Sequence, residues 1–528
     1  FRTSQEESLF SLVSAPAFPY ICTRKGEPGF LLPACGMPQG LAVFCMYLYK
    51  SRCVIPVNAV AARTITNAAR GKASRLTEIT GRLSEKTVTA PESMTDYLEK
   101  QKNEKDMTHI VMKSRLVVMN YLEYAVWGAY LTSMGTYLVN VGLASHIGWF
   151  YAVQGIVSIF MPALIGIVAD RKVPAQVMLG FCHLLAAAFM CMAGSYAERA
   201  GDAVEMGPIL SLYAVSVAFY MPTLSLSNSV AYTALTRAGL DTVRDFPPIR
   251  VFGTIGFICS MLLVDYLGIQ GSHRQFYVSA VIGFVLGGYS MTLPKCPVNH
   301  EKKGKSLVEA MGLRAFLLFK QRRMAIFFIF SMLLGVSLQI TNGFANPFIT
   351  SFKEIPEFAH TFGANHANAL ISLSQISETC CILLIPFFLK RFGIKRVMMI
   401  AMLAWVLRFG LFGLGNPGDG VWMFVLSMIV YGVAFDFFNI SGSLFVDRET
   451  DEKIRSSAQG LFMVMTNGLG ATIGTLGAQA VVNHFVYAVP AEAQIGGWKT
   501  SWFIFAGFAL LVLVLFTLVF KEAERKSA

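Results

Sequence analysis

The chain has 528 residues, of which 54% are hydrophobic and only 14% charged, with a mean hydropathy of +0.54. Ordinary soluble domains carry roughly 25% charged residues, so this composition argues against a water-soluble globular class and for lipid as the main solvent. The formal net charge is +12, but the basic residues lie in short clusters between apolar runs, which reads as a membrane-topology signal and not as a nucleic-acid surface. The 42 Phe and 45 Gly fit helices packed against one another in a bilayer. Ten cysteines are scattered without a CxxC or a His/Cys metal spacing, so neither a disulfide framework, a metal site nor a cofactor is expected.

Before Met107 there is no sustained periodicity. The uncharged stretch 29–49 is broken by Pro33, Gly36, Pro38 and Gly40, which makes a poor span, and a long polar segment ahead of it makes a poor signal peptide. The segment "YLEKQKNEKDM" just before Met107 is built from residues with purine-rich codons. Residues 1–106 are therefore expected to be upstream sequence or a disordered extension, with the native chain starting at Met107 or Met112.

From there the apolar runs become regular, each near the roughly 20 residues a span requires. Candidate spans are 116–139, 147–168, 175–195, 208–233, 247–268 and 275–293, then 325–350, 366–389, 395–415, 420–445, 457–483 and 500–520. The connections test this count. Basic clusters such as Lys113/Arg115, Arg171/Lys172, Lys390/Arg391 and Lys521/Arg525 occupy every second connection and both ends, while the intervening loops hold only Arg199, Arg274, Lys353 and Lys499. Positive residues stay on the cytoplasmic side, so both termini are expected there.

The reading is an all-α membrane protein with a first half at 107–293, a basic cytoplasmic linker at 294–323 and a second half at 324–528. Two six-helix halves so joined resemble the major facilitator superfamily, whose substrate site lies at the midplane between the halves. "GIVADRKVP" follows the second span, where that superfamily carries its Gly-x-x-x-Asp-Arg signature. Asp170 and Arg171 could pair with a neighbouring helix terminus and latch one conformation, or form a solvated turn.

Polar residues at membrane depth are the candidates for function. Glu378 lies about a dozen residues into the eighth span, near mid-depth at about 1.5 Å per residue, and Gln375 shares its face. Gln339 and Asn342 repeat that spacing in the seventh span. Amides both donate and accept, which suits a neutral, hydroxyl- and carbonyl-rich solute. In "YGVAFDFFNISGS" of the tenth span, Asp436 sits among Phe435, Phe437 and Phe438. A carboxyl in apolar surroundings can hold and release a proton near neutral pH, and the rings serve packing or stacking. "DFPPIRVFGTIGF" opens the fifth span, with Arg250, Thr254 and Phe257 on one helical face; Arg250 could clamp a substrate oxygen or anchor at the cytoplasmic surface. Arg408 is either an ion-pair partner or a ligand, and His183 is read as hydrogen-bonded structure before a proton relay. Gly283/Gly287 and Gly470/Gly474 are close-packing positions.

"FMPALIGIVAD", "DFPPIRVFGTIGF", "MAIFFIFSMLLG", "LQITN", "SQISET" and "AFDFFNISGS", in order from about Met112 to Lys521, resemble the bacterial nucleoside:proton symporters. That resemblance implies proton-driven nucleoside uptake across the bacterial inner membrane by alternating access, by a multi-pass monomer in the lipid bilayer with no nucleic-acid partner. It places substrate contacts on Arg250, Thr254, Phe257, Gln339, Asn342, Gln375, Glu378, Tyr431 and Phe435, and proton coupling on Asp436 or Glu378. Glu123 departs from it: a nucleoside permease of that family has an amide there, and an extra carboxylate facing the cavity would alter the protonation inventory. The alternative within transporters is a proton symporter for a sugar or other small polar metabolite. An enzyme is not expected, since no HExxH or GxSxG is present and histidines at membrane depth are few.

Overall fold

The structure is a computed structural model that describes residues 94–297, 313–451 and 454–520. Most of the segment expected to be an extension, the centre of the linker and the basic tail lie outside the described residues. What is described is helical, as lipid demands: backbone N–H and C=O groups have no water to turn to there, and a helix satisfies them within the segment.

Among the described residues nine helices are long and apolar enough to cross a membrane, and three local features reconcile them with twelve passes. The first pass is interrupted, running as Met94–Gly128 and Met134–Asn140. The sixth, Arg274–Ser290, has only 17 residues. The eighth and ninth form one continuous helical stretch, Ala367–Leu414, that reverses at Gly393 with φ 78°, a backbone conformation open to glycine at little cost. The second, third and fifth passes are Ile147–Arg171, Ala175–Ala200 and Thr242–Tyr266. The fourth is split into Met206–Tyr220 and Thr223–Arg237 around Pro222, which lacks an N–H to continue the ladder. The seventh, tenth and twelfth are Arg322–Ser351, Val421–Glu449 and Ala491–Val519. The eleventh joins Arg455–Met463 to Ala471–Val482 through the π-helical turn Val464–Gly470 and ends in a second, Asn483–Tyr487.

Large apolar side chains such as Leu383, Phe387, Leu518 and Val281 stand exposed on the outer faces, as lipid-facing residues do. Inside, small residues let the helices approach. Gly283 abuts Ala187 Cβ and Gly287 abuts Leu184, while Gly470 and Gly474 lie against the carbonyls of Met332 and Val336. At the end of the bundle that carries the basic loops, ion pairs stay within each half. Lys113 Nζ meets Asp245 Oδ1 at 2.7 Å in the first, and Arg323 meets Glu449 at 2.9 Å in the second.

One tight helix contact near the candidate residues is between the eighth and tenth passes. A Cβ on Gly432 would lie 2.6 Å from the Ser377 carbonyl oxygen. Gly432→Val is expected to cost about 1–3 kcal/mol of stability by overpacking, read as a lower unfolding temperature in detergent. Gly410→Ala, whose added Cβ would meet nothing within 4 Å, is expected to leave that temperature unchanged.

Candidate functional site

The fifth pass presents Arg250, Thr254 and Phe257 at helical spacing from the first half. The Arg250 side chain lies against the first pass. Its Cζ lies 3.9 Å above the centre of the Tyr124 ring of the first pass, and its charge acts on both Glu378 and Asp436 of the second half. Phe257 is buried edge-on against Trp127, with ring centres 6.4 Å apart. Trp127 Nε1 in turn donates to Gln154 Oε1 at 3.3 Å, and Gln154 Nε2 donates to the Tyr213 hydroxyl at 2.8 Å. Tyr124 and Trp127 were not among the residues expected to matter. Their three-residue spacing on the first pass is the signal that could have found them.

The second half supplies the rest. Gln375 reaches the Tyr431 hydroxyl, and the Tyr431 ring lies parallel to that of Phe435, 5.7 Å between centres and 2° between planes. One helical turn apart, the two rings make a flat aromatic strip. Glu378, half-buried, and Asp436, 5% exposed, are electrostatic neighbours. Asp436 Oδ2 has no hydrogen-bond partner among the described residues. The opposite charge that acts on that carboxyl comes from Arg250, in the other half. Gln339 and Asn342 bond each other, Asn342 Nδ2 donating to Gln339 Oε1 at 2.8 Å, which leaves one donor amide and one acceptor oxygen of the pair for other partners.

Two expectations are revised. Glu123 does not face a cavity shared by the halves: it is fully buried within the first half. There its Oε2 lies 2.9 Å from His183 Nε2, its Oε1 accepts from Thr223 Oγ1 at 2.5 Å, and its carbonyl accepts from the Tyr220 hydroxyl at 2.9 Å. It ties the split fourth pass to the first and third, and His183 is correspondingly part of that structure. A small internal pocket beside it is lined by His183, Ser216, Tyr220 and Ser279 and includes none of the expected substrate contacts. Arg408 has no ion-pair partner among the described residues and is too buried to be a ligand: it is 2% exposed and bonds to Ser374 and Ser427. Asp170 and Arg171 end the second pass, and their side chains lie outside the described set.

The hydrogen bonds that join the halves gather at the end away from the basic loops. Thr132 Oγ1 donates to Asn368 Oδ1 at 3.0 Å and Thr136 Oγ1 to Asn346 Oδ1 at 2.5 Å. Asn346 Nδ2 donates to Asn368 Oδ1 at 2.7 Å and to Gln270 Oε1 at 3.4 Å, and Gln270 Nε2 to the Asn365 carbonyl at 2.7 Å. His366 Nδ1 and Asp265 Oδ2 are 2.7 Å apart. Beside them Gln479 accepts from the Gly148 amide at 2.5 Å and donates to the Ala144 carbonyl at 3.1 Å.

The family described as "Nucleoside H+ symporter" matches residues 110–525. The chain is 46% identical over 410 residues to the xanthosine permease of Escherichia coli (strain K12), covering 77% of this chain and 95% of that protein. It is also 46% identical over 413 residues to the nucleoside permease NupG of the same organism, covering 78% and 96%. The crystal structure of the nucleoside transporter NupG superposes with a TM-score of 0.71 at 45% identity, over 78% of this chain and 99% of that one.

Asn346 is the hub of the polar seal, bonded to Thr136, Gln270 and Asn368. Asn346→Ala removes its side-chain bonds, each worth about 0.5–1.5 kcal/mol, and is expected to raise amide hydrogen exchange across 340–350 by about tenfold or more. Unchanged protection there would mean that the seal does not depend on this network.

Proposed function

The chain belongs to the nucleoside H+ symporter family, and from that premise we propose that it carries nucleosides together with protons across the bacterial cytoplasmic membrane by alternating access. The observation that carries the reading is that one cation of the first half, Arg250, lies near enough for its charge to act on two carboxyls of the second, Glu378 and Asp436, without a direct ion pair to either among the described residues. Amides and aromatic rings flank them.

A nucleoside offers a flat base with donors and acceptors on its edge and a ribose with hydroxyls. Glu378 and Gln375 suit the ribose hydroxyls, since a carboxylate accepts and an amide does both. Arg250, Gln339 and Asn342 suit the polar edge of the base, and Thr254 adds a hydroxyl on the same face as Arg250. The base ring has Phe257 on one side and the Tyr431–Phe435 strip on the other to stack against. A neutral solute brings no driving force, so its accumulation draws on a carboxyl whose protonation biases the rocking of the halves. Asp436 takes that role, with Glu378 tied to it electrostatically.

Basic loops favour the cytoplasmic side, which supports a cytoplasmic position for both termini. In that orientation the seal lies at the outer end, as in a carrier closed to the outside. Asp170 and Arg171, at the cytoplasmic end of the second pass, serve as a latch for the alternate state. The protein works as a monomer embedded in lipid.

Uptake into proteoliposomes tests this directly. Uridine and xanthosine are expected to accumulate only under an inward proton gradient and to be competed by nucleosides, not by free bases or sugars; competition by sugars would instead favour a sugar carrier on the same scaffold. Asp436→Asn is expected to retain downhill nucleoside exchange but lose gradient-driven accumulation and nucleoside-induced proton entry. Persistence of both would clear Asp436 of coupling. Glu378→Gln is expected to weaken nucleoside affinity by about tenfold or more, the cost of a lost charged hydrogen bond at a buried site.

A further inference from the structure

The ninth pass carries a cation that the transport scheme above leaves unused. Arg408 is 2% exposed. A cation buried at membrane depth is expensive, and an aliphatic chain of similar size would fill the same space. Its contacts show what the charge obtains. Nη1 donates to the Ser427 carbonyl at 2.9 Å and to Ser374 Oγ at 3.3 Å, while Nε has no partner among the described residues. Ser427 Oγ returns a bond to the Arg408 carbonyl at 2.9 Å. The guanidinium Cζ lies 4.4 Å from the centre of the Tyr431 ring and 5.4 Å from that of Phe412, and Trp405, one turn away, meets Tyr431 edge-on at 6.0 Å.

These partners are adjacent to the residues proposed to meet the substrate. Ser374 immediately precedes Gln375, and Ser427 lies one turn before Tyr431. One guanidinium thus ties the eighth pass, bearing Gln375 and Glu378, to the tenth, bearing Tyr431, Phe435 and Asp436. A cation over a ring face also restrains the tilt of the ring, which packing alone does less sharply.

We propose that Arg408 is a positioning residue for nucleoside recognition: it holds the Tyr431 ring, and with it the Tyr431–Phe435 strip, in fixed register with Gln375 and Glu378. The proposal rests on the reading that Tyr431 lines the nucleoside site. Arg408 itself does not touch substrate and acts through Tyr431.

The test is a double-mutant cycle on the full-length carrier in detergent, with uridine binding measured by calorimetry and the unfolding temperature recorded for each variant. Arg408→Met is expected to weaken uridine binding by about tenfold, the scale of a desolvated cation–π contact. Arg408→Lys, which keeps the cation, is expected to recover part of that loss. In a Tyr431→Leu background, which is itself expected to bind uridine more weakly, Arg408→Met is expected to change affinity by less than about twofold, since an interaction acting through Tyr431 vanishes with it. An equal loss in both backgrounds, or no loss in either, overturns the proposal while leaving the transport reading intact. If Tyr431→Leu binds uridine as the unaltered protein does, the placement of the site fails and the proposal falls with it. Should Arg408→Met not be recovered folded, Ser374→Ala, which removes one of the guanidinium's acceptors, takes its place in the same cycle. Its expected loss of about threefold likewise disappears with Tyr431, and an additive loss overturns the proposal.

Discussion

In lipid every polar group must be answered by another polar group of the same protein. Helices meet that demand for the backbone, and the side chains that remain are obliged to find partners across passes. Nearly every polar contact at depth in this chain is such an answer: Glu123 with His183 and Thr223, Arg408 with two serines and a ring, Gln339 with Asn342. Among the buried side-chain atoms that stay unpaired in the described residues, one is informative. Asp436 Oδ2 is buried and unanswered among the described residues, and it lies where the charge of Arg250 comes from the opposite half. An incomplete set of partners is what a site needs if a proton or a solute is to complete it.

This contrast separates two classes of buried charge that look alike in a string of letters. Glu123 and Glu378 both interrupt apolar runs at comparable depth. Glu123 spends one carboxylate oxygen on His183 of the third pass and the other, with its carbonyl, on the split fourth pass, so its cost is met by fixing the shape of the first half. Glu378 has its strongest opposite charge in Arg250, on the other half of the bundle. The energy of that pair therefore depends on how the halves sit, which is the property that links a titratable group to rocking.

The architecture was legible because it follows from two strong physical signals, the length of apolar runs and the alternation of basic loops. The breaks were less so. Pro222 hints at the split in the fourth pass, but the loosening of the first at 129–133 is set by where Thr132 and Ser133 bond, to Asn368 and Gln275, which are remote in sequence. At the site, charged and amide residues at depth announced themselves by their cost. Tyr124 and Trp127 did not, since aromatic residues fill this chain and a ring that faces a gap looks like one that packs. The direction of Glu123 was misjudged for a related reason: on a helix buried on several sides, spacing says which residues share a face but not which neighbour that face meets. The Thr and Asn residues of the seal escaped notice because they lie near span ends, where polarity is ordinary.

The chemistry of the seal fits a reversible gate. It is built chiefly from short neutral side chains, Thr132, Thr136, Asn346, Asn368 and Gln270, with a single His–Asp pair at the edge, His366 and Asp265. Neutral hydrogen bonds contribute only about 0.5–1.5 kcal/mol each, net of the bonds to water that they replace. Reversing an equilibrium from 1:99 to 99:1 requires about 5.5 kcal/mol of differential binding, a sum within reach of a solute and a proton if they bind at Glu378 and Asp436 as proposed. A lock of buried ion pairs would demand more than a neutral nucleoside can return. The weakness of the seal and the incompleteness of the site are therefore matched, and that match lets a small solute turn so large a bundle.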